Sequence, residues 1–109
     1  MTDTIVVFTT CAVESDAERI ARALVDGRLA ACVNVVPGVR SFYHWEGETQ
    51  CAGEFLLVIK TSRDLFAALR AEMEKLHPYE LPELLALPVV AGAENYLSWL
   101  QSNLRGAQE

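Results

Sequence analysis

The chain has 109 residues, 51% of them hydrophobic and 22% charged, and a formal net charge of −6. That length suits one domain, which buries roughly 65% of its unfolded surface and needs no disulfide staple. The acidic balance disfavours nucleic acid, whose phosphates require a basic surface, and no apolar run reaches the ~18 residues of a membrane-crossing helix.

Met1-Thr2-Asp3-Thr4 opens without a basic and apolar leader pattern. Cys11, Cys32 and Cys51 form an odd, widely spaced set, so reduced thiols and a cytoplasmic setting are expected. Thr4–Thr10 (TIVVFTT) is short and rich in β-branched residues, and reads as a buried strand. Ser15-Asp16-Ala17-Glu18 has the form of a capping box, in which hydroxyl and carboxylate satisfy orphan backbone donors reciprocally. Ala17, Ile20, Ala21, Leu24 and Val25 follow at helical spacing, and Gly27 stands where a left-handed C-cap belongs.

Ala31–Val36 reads as a strand that bends at Pro37-Gly38 and resumes over Val39–Trp45. Glu46-Gly47-Glu48 supplies a turn, and Thr49–Thr61 returns through the run Phe55-Leu56-Leu57-Val58-Ile59. A second helix carries Leu65, Phe66, Leu69, Met73 and Leu76 on one stripe and stops at Pro78. Leu84–Val90 is a fourth apolar strand, and Ala93–Leu104 a third helix with Tyr96, Leu97, Leu100 and Leu104 on one side. The order β-α-β-β-α-β-α predicts a single α+β domain over 1–109, of the ferredoxin-like split βαβ class. Its four-stranded antiparallel sheet carries the two main helices on one face.

Two features do not suit an isolated copy. The Phe55–Ile59 run is apolar on both faces, which implies burial on both sides, whereas two helices cover only one. A Cys32–Trp45 strand would also extend about 45 Å at ~3.3 Å per residue, against a domain diameter of about 35 Å. Its hairpin must therefore bend or project, and a projecting arm would expose Phe42, Tyr43 and Trp45 unless another copy covered them. Self-association is expected.

Five segments carry a resemblance to a known family. They are Ala30-Ala31-Cys32-Val33-Asn34-Val35-Val36-Pro37-Gly38, Ser41-Phe42-Tyr43-His44-Trp45-Glu46-Gly47, Ile59-Lys60-Thr61, His77-Pro78-Tyr79-Glu80-Leu81-Pro82-Glu83 and Tyr96-Leu97-Ser98-Trp99-Leu100. In this order, over essentially the whole chain, they closely resemble the CutA divalent-cation-tolerance family. The resemblance implies a homotrimer similar to that of PII signalling proteins, with sheets facing inward and long hairpins pairing across subunits. It also implies a link to copper and other divalent cations. In some relatives the copper site looks like a thiol near the end of strand 1 plus paired histidines. The matching positions here hold Thr9, with Cys11 two residues later, and Leu76 beside His77.

The His77–Glu83 segment is the densest polar cluster. His77 offers an imidazole suited to copper or zinc, with Glu80 and Glu83 as oxygen donors and Cys11 as a further candidate. The competing reading is structural, with Pro78 ending the helix and Tyr79 packing. Lys60 ends an apolar strand and must find a carboxylate or bind an anion if buried. With Tyr43, Trp45 and Tyr79 it marks a candidate inter-subunit cleft for a small anion, while the two β-arm aromatics also suit interface anchors. No nucleophile elbow, phosphate loop, dinucleotide fingerprint or zinc-protease motif occurs. A binding protein without organic cofactor is expected, not an enzyme.

Overall fold

The computed structural model describes residues 2–106; Met1 and residues 107–109 of the domain expected over 1–109 lie outside them. In chain order the elements are β1 (Thr4–Cys11), α1 (Glu14–Asp26), β2 (Cys32–Trp45), β3 (Glu48–Ser62), a 3-10 turn (Arg63–Leu65), α2 (Phe66–Leu76), β4 (Leu85–Pro88) and α3 (Glu94–Ser102). The strands form one antiparallel sheet in the order β2-β3-β1-β4. β1 and β2 run parallel on either side of β3, with α1 as their crossover. This is the ferredoxin-like α+β arrangement that the element order predicts.

One face of the sheet holds the core. Ile5, Val7, Thr9 and Cys11 of β1 lie beside Leu57, Ile59 and Thr61 of β3, and α1 and α2 set Ala17, Ile20, Leu24, Leu69 and Met73 against them. Each fully buried aliphatic side chain contributes about 1.5–3 kcal/mol. Thr61 donates its hydroxyl proton to the Leu29 carbonyl at 2.6 Å, whereas the buried Thr9 hydroxyl has no partner among the described residues.

Helix α1 differs from expectation at both ends. It begins at Glu14, ahead of Ser15, because the Val13 carbonyl accepts the N–H groups of Asp16 and Ala17 at 3.1 Å. The capping box is not made, and Glu18 pairs instead with Arg22 at 3.2 Å. Glu14 and Asp16 place negative charge at the positive end of the helix dipole. At the other end Gly27 stays right-handed, and Arg28 takes the left-handed conformation with φ 58°. The Arg28 carbonyl then accepts the Arg105 N–H at 2.7 Å, fastening the chain after α3 to this corner.

Strand β4 is shorter than the apolar run Leu84–Val90. Pro88, opposite Ile5, has no N–H for the ladder, and pairing continues only as single bonds such as Val89 N–H to Thr4 O at 3.1 Å. Helix α3 stops at Ser102, short of the expected Leu104; Leu100 within it and Leu104 beyond it are buried as expected, but Tyr96 is exposed and stacks on Trp99.

The second face carries Val6, Phe8, Leu56, Val58, Leu85 and Leu87, neighbours across the strand register. Helix α3 reaches only its end, where Gln101 donates to the Thr4 hydroxyl at 3.3 Å. The rest has no cover among the described residues, and Leu85 is 58% exposed. The β2–β3 arm projects, giving principal extents of 49 × 26 × 22 Å, and leaves Phe42, Tyr43 and Trp45 exposed.

At the tip of the arm Trp45 pairs with Glu48, leaving the two-residue turn Glu46-Gly47 with φ 51° and 83°. Two positive φ angles are the pattern of a type I′ turn, which matches strand twist and favours Asn-Gly. Glu46 bears a left-handed penalty that asparagine bears less. Glu46→Asn should therefore stabilise the fold by about 0.5–1 kcal/mol. Chemical denaturation would show a raised midpoint, and an unchanged one would refute the assignment of strain to this turn.

Candidate functional site

A groove beside the β2–β3 arm depends on one irregularity in β2. Val36 lies opposite Leu56 and Val39 opposite Glu54, so β2 advances three residues while β3 advances two. The extra residue falls at Pro37-Gly38, where Gly38 adopts φ 78°, a conformation natural to glycine. Side chains alternate along a strand, so this bulge reverses the parity of everything beyond it. Before it Cys32, Asn34 and Val36 occupy the uncovered face. After it Ser41, Tyr43 and Trp45 do, on the same side as Glu54.

Opposite them stands the loop between α2 and β4. His77 closes α2, its N–H bonded to the Met73 carbonyl at 2.9 Å, and Pro78 prevents continuation. The His77 ring is buried, at 7% exposure. Its Nδ1 accepts the Tyr79 N–H at 3.1 Å, and its Nε2 lies 2.8 Å from the Thr10 carbonyl. A backbone N–H can only donate and a carbonyl only accept, so the proton sits on Nε2. The imidazole thus ties this loop to β1. Tyr79, whose ring lies 4.8 Å from that of His77, donates its hydroxyl proton to Glu54 Oε2 at 2.6 Å.

The result is a groove of about 630 Å³, walled by Phe42, Tyr43, Trp45 and Leu81, with Glu54 and Tyr79 within it and Glu80 and Glu83 also lining it. Glu54 is only 8% exposed. Burial, the Glu54 hydrogen bond and the Glu54 charge together push the Tyr79 phenol far above its ordinary value of 10.0.

The candidates named from sequence divide accordingly. Tyr43, Trp45, Tyr79, Glu80 and Glu83 meet in the groove. Lys60 lies on the same face of the sheet but six positions along β3 from Glu54, roughly 20 Å away at ~3.3 Å per residue, between Val6 and Cys32. Cys11 points to the helix-covered face and is fully buried. Burial, with Asp16 and Glu54 adding negative charge nearby, raises its thiol above the ordinary 9.0, which keeps it protonated and a poor ligand at neutral pH. Among the described residues no three His, Cys, Asp or Glu side chains gather where they could hold a metal ion. Sequence reasoning did not select Glu54 as a site residue; a glutamate beginning an apolar strand run was its only signal.

Residues 5–103 match the family described as CutA1 divalent ion tolerance protein. The chain belongs to the CutA1 family. It is 48% identical over 98 residues to the divalent-cation tolerance protein CutA of Thermus thermophilus, covering 90% of this chain and 95% of that one. The solved structure of the Thermus thermophilus protein superimposes with a TM-score of 0.91 at 46% identity, covering 94% and 99% of the two chains. The structure named as the periplasmic divalent cation tolerance protein CutA of Archaeoglobus fulgidus gives 0.90 at 35% identity, covering 94% and 99%. The chloroplastic CutA of Arabidopsis thaliana is 42% identical over 93% of this chain, which spans 56% of that protein's length. Like that plant protein, the mammalian CutA relatives are matched over about half their length. No helix among the described residues is long and apolar enough to cross a membrane.

The Tyr79–Glu54 bond gives this CutA1 chain a spectroscopic mark. The folded state holds the Tyr79 proton more tightly than the unfolded chain does. Its stabilisation is therefore fully present below pH 10.0 and is lost as pH climbs beyond that value. In an absorbance titration one of the three tyrosines should ionise late, and Tyr79→Phe should delete that late step alone. Loss of an earlier step instead would show that Tyr79 is not held by Glu54.

Proposed function

We propose that the protein serves divalent-cation tolerance as a homotrimer, binding copper or another divalent cation weakly and catalysing no reaction. The match of residues 5–103 to a family described by divalent ion tolerance carries this reading. The net charge of −6 and the exposed carboxylates Glu80 and Glu83 beside His77 favour cations. Weak binding follows from the donors available. A cation on His77 Nδ1 takes the lone pair that now accepts the Tyr79 N–H, and the Cys11 thiol is protonated and enclosed. Three free cysteines suit a reducing compartment such as the cytoplasm.

Association is the answer to the apolar face that α1 and α2 do not cover, and three copies is the number that family resemblance implies. A second reading, a PII-like trimer that binds a small anion in clefts between copies, draws on Lys60. That residue is half-buried and makes no ion pair among the described residues.

Light scattering should give three times the subunit mass at micromolar concentration, and Val58→Glu, which buries a charge in the contact, should release folded single subunits. A wild type that is already a stable monomer would refute the assembly. Copper calorimetry should show more than one weak component, one of which disappears in His77→Ala while the fold persists. Superimposable isotherms would remove His77 from the ligands, and thermal stabilisation by anionic metabolites but not by metals would favour the second reading.

A further inference from the structure

We propose that His77 is a latch on the 77–84 loop, and that a divalent cation takes its imidazole only by releasing that loop. The switch rests on the reading of His77 as a cation donor. With the loop docked, the imidazole presents no donor to a cation.

Both ring nitrogens are engaged. Nδ1 accepts the Tyr79 N–H at 3.1 Å, and Nε2–H donates to the Thr10 carbonyl at 2.8 Å. An imidazole nitrogen has one in-plane lone pair, so a cation on Nδ1 displaces the Tyr79 N–H. A cation on Nε2 needs the other tautomer. That tautomer leaves the Thr10 carbonyl without its donor and turns Nδ1–H against the Tyr79 N–H. Either route breaks the latch. The ring is buried, so the groups left behind lose bonds where water does not readily replace them.

The loop depends on these bonds. Pro78 and Pro82 carry no N–H, and among the described residues no backbone–backbone hydrogen bond holds residues 78–83. Tyr79 makes the second fastening, its hydroxyl donating to Glu54 on β3 at 2.6 Å. One residue thus carries both ties, and loosening either loosens the other. All of these bonds lie within a single chain, so every copy of an assembly carries the latch. Apparent affinity at the imidazole is the intrinsic affinity scaled by the fraction of molecules whose loop is released. Weak binding is then a property of the docked loop as well as of the few donors.

The test uses the full-length protein in its native assembly. Zinc ion, which suits imidazole, is the probe, and magnesium ion, which favours oxygen donors, is the control. Amide hydrogen exchange at residue 79 reads the latch, and calorimetry reads zinc binding. Zinc should speed exchange at Tyr79 without changing the β1–β3 ladder, and magnesium should change neither. Tyr79→Phe removes the tie to Glu54 and leaves the imidazole in place. It should bind zinc about tenfold more tightly, the scale of one lost hydrogen bond, and exchange at residue 79 should rise by the same factor. A merely structural tie would give no gain in affinity on its removal. Suppose His77→Ala loses a zinc component, yet Tyr79→Phe binds no more tightly or zinc leaves exchange at Tyr79 unchanged. His77 would then be a ligand and the latch would be overturned. Undiminished zinc binding in His77→Ala would overturn both the ligand and the latch. Equal acceleration by magnesium would place the release at the carboxylates Glu80 and Glu83, and would also overturn the latch.

Discussion

Every rung of an antiparallel sheet carries side chains on two faces, and both crossover helices of this topology come to the same side. Where a central strand is apolar on both, the second face needs a cover that the crossovers cannot supply. β3 is such a strand: Leu57 and Ile59 face α1 and α2, while Leu56 and Val58 face away. α3 reaches only the Thr4 end of that second face. The half-burial of Val6, Phe8, Leu56 and Val58 is shelter from sheet neighbours, not from a second layer. From that single shortage follow the exposure of Leu85 and Leu87 and the argument for the proposed association.

The arm follows a different logic, because a bulge changes which residues belong to that face. Unbroken alternation from Cys32 would have put Phe42 and His44 beside Glu54. The extra residue at Pro37-Gly38 puts Tyr43 and Trp45 on that face instead, adding a phenol and an indole to a groove that Phe42 also lines. One glycine with positive φ thus decides the chemistry of a groove whose lining spans β1, β2, β3 and the 77–84 loop. Proline contributes as well, since it has no N–H to lose where the ladder is interrupted.

Element order, the two-sided apolar strand and the projecting hairpin were all legible from residue patterns, because burial and periodicity are local properties of a strand or helix. Helix ends were less so. Ser15 and Glu18 satisfy a capping pattern, yet the Val13 carbonyl starts the helix earlier and Glu18 finds Arg22. Which of Gly27 and Arg28 turns left-handed is settled by the docking of Arg105, a contact between distant parts of the chain. The site was half legible. Aromatic and acidic residues in the arm and the 77–84 loop could be picked out, but their meeting depends on bulge parity. A bend at Pro37-Gly38 reveals that parity only once the partner strand is known to lack a matching extra residue. Lys60 and Glu54 share a sheet face, but about the whole usual span of a β-strand separates them.

The two nitrogens of His77 join β1 to the loop that carries Tyr79, and Tyr79 in turn joins that loop to Glu54 on β3. The bonds form a continuous polar chain across three elements, and each member is satisfied by the next. Metal at Nδ1 would remove the acceptor of the Tyr79 N–H and loosen the loop that closes one side of the groove. A groove held shut on Glu54, conversely, keeps that lone pair engaged. Because one lone pair cannot serve both partners, cation binding at the imidazole and an ordered groove draw on the same hydrogen bond. Linkage then requires each to weaken the other by the same factor. The imidazole belongs first to the architecture of the site, and any ligand role it takes must be exercised against that architecture.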